Sequence, residues 1–170
     1  MTRVRVRRAT VADLDLLVRH RRGMWQAIRD LSTESLEDAD RVYRRWARAR
    51  MNSGQFVGFI VDVGGRPVAS GCVWLMELQP RPHWKGTQAA YLLSMFTEPD
   101  HRGEGHATRI VEAAMKWAKA RGIPVMLLHA SPYGEALYAR LGFERTTEMR
   151  KLLTDEPRNP VRSRRKRSID

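Results

Sequence analysis

The sequence predicts a mixed α/β fold, with elements in the order β-α-α-β-β-β-α-β-α-β. Three observations carry it. Apolar residues recur at helical spacing in three long segments, a Gly64-Gly65 pair separates two strand-like runs, and residues 89–97 (A-A-Y-L-L-S-M-F-T) form a continuous apolar run. Such a run suits a central strand covered on both faces.

Taken in order, residues 3–8 alternate as R-V-R-V-R-R, the pattern of a short edge strand with charges toward solvent. Thr10 and Asp13 are spaced as a variant capping box, which opens a helix carrying Val11, Leu14, Leu17, Val18, Met24, Trp25 and Ile28. A loop around Asp30–Glu34 leads to a second helix, 35–51, with Leu36, Ala39, Val42, Tyr43, Trp46 and Ala47 inward. Trp25 and Trp46 are expected to pack this pair.

Phe56–Val63 and Pro67–Leu78 read as a hairpin about Gly64-Gly65. A Pro- and aromatic-rich loop, 79–87, precedes the central strand, which Pro99 stops. Residues 103–121 form the clearest helix, closed by Gly122. Pro124–His129 reads as a strand, about 132–141 as a short helix and Phe143–Leu152 as a last strand. Past Thr154 the chain lacks apolar periodicity, so we expect a domain at 1–153 and a basic, disordered tail at 154–170.

A length of 170 residues with 42% apolar and 29% charged composition fits one globular domain. It contains no apolar run of about 18 residues and no signal-like N-terminus, so membrane spanning is excluded and a cytoplasmic location expected. The single cysteine, Cys72, supports neither a disulfide framework nor a multi-cysteine zinc site, and reads as a small core residue. His83 and His101 lie in loops without a ligand partner at metal spacing, so no metal is expected. The formal charge of +12 rests mostly on arginine (26 of 31 cations), with +9 on residues 1–153. Such a body attracts polyanions: nucleic acid, an anionic membrane surface or a phosphorylated cofactor.

The most informative stretch is Pro99-Asp100-His101-Arg102-Gly103-Glu104-Gly105-His106-Ala107-Thr108, between the buried strand and the long helix. Its glycines allow close backbone approach, and the first helical N–H groups, unpaired, suit a phosphate or pyrophosphate. Arg102 adds a planar donor. Neither a P-loop nor a Rossmann glycine fingerprint is present. Read alone, R-G-E-G is equally a tight strand-to-helix connection.

The pattern Arg102-x-x-Gly105-x-Ala107 resembles the acyl-CoA pyrophosphate motif of the GNAT superfamily of N-acyltransferases. Ser131-Pro-Tyr-Gly134-Glu-Ala-Leu-Tyr138-Ala-Arg-Leu-Gly142-Phe143 is similar to that family's C-terminal block. The resemblance covers about residues 3–152, including the R-x-A-T opening and the paired helices. It implies a GNAT fold, a mixed, mostly antiparallel sheet with splayed central strands.

It further implies that Arg102, Gly103, Glu104, Gly105, His106, Ala107 and Thr108 hold the pyrophosphate of acetyl-CoA. Backbone groups of Met95, Phe96 and Thr97 would hold the acyl end and stabilise the oxyanion. Tyr138 matches the tyrosine that protonates the departing thiolate, and a phenol of pKa about 10 can donate to a thiolate of parent pKa about 8.5. The chain departs from the pattern at Ser131, where asparagine is usual, and in strand 89–97, which lacks the carboxylate some members use as base. Glu77 and His129 are the candidate bases, beside a water chain or no dedicated base. Trp74 and Trp84 are candidates to line an acceptor pocket, and Asp30, Glu34, Glu37, Asp38 and Asp40 to attract a cationic amine.

The implied activity is acetyl transfer from acetyl-CoA to a primary amine by direct attack in a ternary complex, no cysteine lying on the acyl strand. The rival is a non-catalytic acyl-CoA-binding or nucleic-acid-associated protein. No RNA- or DNA-reading motif is present, and the basic residues are not interleaved with aromatic ones. A nucleic-acid or membrane partner is therefore not expected, while a homodimer stays open.

Overall fold

The structure, a computed structural model, describes residues 2–151 and 153. The expected tail at 154–170 lies outside the described residues. The elements are β1 (Val4–Arg8), α1 (Leu14–Ile28), α2 (Thr33–Asn52), β2 (Phe56–Val63), β3 (Arg66–Glu77), β4 (Gln88–Thr97), α3 (His106–Ala120), β5 (Met126–Leu128) and α4 (Glu135–Arg140). The five strands make one open sheet in the order β1-β2-β3-β4-β5. Every pairing is antiparallel except β4 with β5.

Period-2 alternation sends the strand residues into two cores. Val57, Phe59 and Val61 of β2 pack with Ile110, Val111 and Ala114 of α3. Phe56 and Ile60 turn the other way, toward Leu14, Leu17, Tyr43 and Ala47 of α1 and α2. The sheet is therefore sandwiched, and both helical layers bury their apolar stripes, each large side chain contributing roughly 1.5–3 kcal/mol. Trp46 packs edge-on against Phe56 and Trp74, and the half-buried Trp74 borders this second core. Trp25 lies instead beneath the guanidinium groups of Arg21 and Arg29.

The start of α1 is held as the capping spacing predicts. Asp13 accepts the Thr10 N–H at 2.8 Å, and it takes both terminal nitrogens of Arg7 at 2.9 Å. Arg7 also donates to Asp62 of β2, at 2.8 Å, so one guanidinium ties the helix start to two strands. That hydrogen bonding holds the Asp13 carboxyl below the usual range.

The expected last strand does not form among the described residues, where the chain from Phe143 runs without strand pairing. Glu144-Arg145-Thr146-Thr147-Glu148 offers no apolar face to bury against the sheet. Strand 124–129 is also shorter than expected, at Met126–Leu128. Among the described residues, no helix is long and apolar enough to cross a membrane.

Candidate active site

Strand β4 outruns its neighbour. It pairs with β5 only from Ala90 to Leu92, against Met126 to Leu128, yet continues to Thr97. The two chains part there and open a cleft of about 820 Å³. Met95, Phe96 and Thr97 form one edge, the glycine turn closes one end, and Ser131, Gly134 and Tyr138 face them. Pairing with β3 is also interrupted at this point. Cys72 opposes Leu93 and Ser70 opposes Phe96, so Ser94 and Met95 form a bulge, with Ser94 at φ 54°.

The glycine turn has the expected character. Gly103 and Gly105 sit at φ 84° and 76°, in the left-handed region that side chains resist, and α3 begins directly afterwards at His106. Arg102 donates through Nε to the Thr97 carbonyl at 3.2 Å, which fixes its stem at the cleft mouth. Arg109 donates to the Glu104 carbonyl at 2.6 Å and braces the turn from behind.

Glu104 places a carboxylate beside this anion-suited turn, and two histidines hold it. His101 Nδ1 lies 3.5 Å and the buried His106 Nε2 3.0 Å from its Oε2. These contacts, His101 first, keep the Glu104 carboxyl below its usual range. His101 therefore has the partners that sequence spacing did not reveal. The set has the make-up of a two-histidine, one-carboxylate metal site. However, His106 Nδ1 faces Arg109 Nη1 at 3.4 Å, where a metal-bound histidine needs an acceptor for its second N–H. Hydrogen bonding accounts for the cluster better.

Tyr138 projects from the short helix α4 into the cleft wall, with its ring edge-on to Phe143 at 5.8 Å between centroids. Burial pushes its phenol up to about 12, so it stays protonated through neutral pH. The candidate bases lie elsewhere. Glu77 ends β3 opposite Gln88 and lines neither this cleft nor a smaller hollow of about 400 Å³ behind Tyr138. His129 lines that hollow, held between the Tyr91 hydroxyl at Nδ1 and Glu148 at Nε2, the latter 2.7 Å away. A carboxylate only accepts, so Nε2 carries the proton and Nδ1 accepts from Tyr91. Both ring nitrogens are engaged.

Two acids expected to attract a cation are already neutralised. Asp38 pairs with Arg41, and the buried Asp40 takes Arg22 at 2.6 Å. Trp84 lies under Arg81 in the 79–87 loop.

Sequence reasoning missed a whole wall of the cleft, Met24, Ala27 and Ile28 of α1, together with Tyr133, Leu137 and Arg140. One signal was available: Gly23 inside a helix, where glycine costs about 1 kcal/mol relative to alanine. A Cβ there would stand 2.7 Å from the Phe96 ring, so glycine allows α1 to close on β4. The cleft thus runs through the sheet, bounded by α1 on one face and by α3 and α4 on the other.

The acetyltransferase (GNAT) family profile matches residues 22–143, most of the chain and all of the cleft-forming segments. The chain belongs to the GNAT family. A GCN5-related N-acetyltransferase from Ralstonia eutropha superposes with a TM-score of 0.82 at 30% identity, covering 89% of this chain and 99% of the other. A predicted acetyltransferase from Clostridium acetobutylicum, its structure determined with acetyl-CoA, gives 0.79 at 26% identity, covering 88% and 96%. An uncharacterized N-acetyltransferase of Methanocaldococcus jannaschii is 32% identical over 110 residues, which are 61% of this chain and 45% of that protein. The match thus spans less than half of that curated relative. The open, mixed sheet is the GNAT architecture.

Proposed function

We propose that this GNAT protein transfers an acetyl group from acetyl-CoA to a primary amine of a small molecule or peptide, with residues 1–153 as the catalytic domain. One observation carries the reading: a single cleft has the Gly103–Thr108 turn at its end, the β4 bulge on one side and a protonated phenol on the other. The acetyl-CoA held by the Clostridium acetobutylicum neighbour supports the same cosubstrate here.

In this reading the pyrophosphate lies on the N–H groups from Gly103 to Thr108, with Arg102 beside it and Ser131 against the pantetheine arm. The neutral amine attacks the thioester carbonyl, and backbone N–H groups of Met95, Phe96 and Thr97 receive the developing oxyanion. The tetrahedral adduct collapses, the C–S bond breaks, and Tyr138 gives its proton to the leaving thiolate. The ammonium proton leaves through water, which returns a proton to the Tyr138 phenolate, since β4 carries no carboxylate and both ring nitrogens of His129 are engaged.

Release of CoA across a panel of amines (an aminoglycoside, spermidine, free amino acids, N-terminal peptides) tests the proposal. Thiol release that depends on one of them, with the acetylated product seen by mass spectrometry, is the expected result. Binding of acetyl-CoA without turnover of any amine would favour the binding-protein reading instead. The wall at Gly23 offers a second check. Gly23→Ala should drive the Phe96 ring into the cleft and weaken acetyl-CoA about tenfold, or about 1.4 kcal/mol, within the usual cost of overpacking. Calorimetric titration reads this directly, and unchanged affinity would remove Phe96 from the binding surface.

A further inference from the structure

We propose that His20 is a positioning residue for the thioester-binding backbone of β4, acting through a chain from the buried Ser70 and His20 to the half-buried Glu98. The inference rests on the acetyl-CoA reading above. His20 lies in the middle of α1 and is 1% exposed, as is Ser70 of β3. Its Nδ1 is 2.9 Å from Ser70 Oγ and its Nε2 is 3.2 Å from Glu98 Oε1.

The direction of the chain follows from chemistry. Burial lowers the His20 pKa and favours the neutral ring, which has one donor and one acceptor. A carboxylate draws an N–H rather than a lone pair, so the Nε2 proton faces Glu98 at ion-pair distance, without the alignment of a hydrogen bond, and Nδ1 accepts from the Ser70 hydroxyl. Ser70 is therefore the first donor of a relay, and its burial removes it from any role as a nucleophile.

The two anchors bracket the bulge. Ser70 pairs in register with Phe96, and Glu98 follows the last residue of β4. Between them, Ser94 and Met95 have no partner opposite Gly71, and Ser94 holds a left-handed φ that costs about 1–3 kcal/mol. Such a conformation persists only where its surroundings impose it. His20 supplies part of that restraint: its ring lies 5.0 Å from the Phe96 ring, which rests on Gly23 one turn further along α1. An apolar residue of similar size would fill this space without a desolvation cost. What the polar chain adds is direction, because it sets where β4 ends relative to β3 and hence where the N–H groups of residues 95–97 point. Oxyanion stabilisation depends on that aim, since donors must meet the oxygen at about 2.7–3.1 Å.

The test uses the full chain and acetyl-CoA labelled with carbon-13 at the thioester carbonyl. In the wild type the bound carbonyl resonance should move downfield, as for an oxygen taking backbone hydrogen bonds. In Ser70→Ala and His20→Ala it should return toward the free position, while affinity for unacetylated CoA stays within about twofold. His20→Gln, which keeps one donor and one acceptor, should recover part of the shift. With any amine that is turned over, kcat should fall at least about tenfold in His20→Ala, which corresponds to about 1.4 kcal/mol of transition-state stabilisation. Ser70→Ala deletes a single oxygen, so it keeps the test valid if His20→Ala misfolds. Folded variants whose bound carbonyl resonates where the wild type's does would overturn the inference and leave the acetyl-CoA reading intact. A wild type that binds no acetyl-CoA would overturn both.

Discussion

Replacing Tyr138 by phenylalanine should lower kcat by about 100-fold or more while leaving acetyl-CoA affinity within about twofold. The magnitude is that of a positioned general acid, typically 10²–10⁴-fold. The separation of kcat from binding follows from the structure: the ring packs on Phe143, and phenylalanine keeps that packing. Only the hydroxyl is lost. Because burial holds the phenol at about 12, Tyr138 remains a donor across the working range, and it should give no falling limb in the kcat profile between pH 7 and 10. Single-turnover measurement with a substrate amine, set beside equilibrium binding of acetyl-CoA, checks both parts. A loss under about threefold would make Tyr138 a packing residue of the cleft wall.

Stability should fall steeply above pH 8.5. Cys72 is fully buried beside Tyr43, and burial pushes its thiol up to about 12. Unfolded, the thiol ionises near 8.5. Its folded pKa is thus the higher one, so the folded chain holds more protons through this window, and stability falls as pH rises. The contribution is fully present below about pH 8.5 and is lost progressively as pH climbs through about 12. Between pH 8 and 11 Cys72 alone should remove roughly 3–4 kcal/mol, at 1.36 kcal/mol per pKa unit. The buried Tyr43 phenol is raised as well and acts in the same direction, as does Tyr138 above pH 10. Together they approach the total stability of a typical domain, about 5–15 kcal/mol. Urea midpoints at the two pH values measure the loss, and Cys72→Ala should show a smaller one. Equal losses in both proteins would mean that the thiol is reached by water in the native state.

The features legible in the sequence are those whose information is local. Gly103 and Gly105 declare a left-handed turn, and the apolar spacing after them declares α3, within about twenty consecutive residues. The α4 segment is legible for the same reason. The site beyond these segments depends on contacts between distant parts of the chain. Ser70 and His20 are fifty residues apart, and a single histidine on an apolar helix face says nothing about the strand it will meet. The same holds for Met24 and Ile28, which read as ordinary helix-face positions because their side of α1 is apolar whether it meets a sheet or a cleft. Among the described residues, the expected strand over Phe143–Leu152 does not form, since its polar middle gives a neighbouring strand nothing to cover.

Among the described residues, β1 has a neighbour on one side only and shows the exposed Arg5 and Arg8 to solvent, with the exposed Arg3 just before it. A second molecule docking along that margin would set guanidinium against guanidinium, on a chain that already carries +12. Like charge on these arginines disfavours the pairing of a second strand at this margin. That repulsion is only as strong as the solvent permits: at about 1 M salt the screening length shrinks to about 3 Å, and the charge penalty at the margin largely disappears.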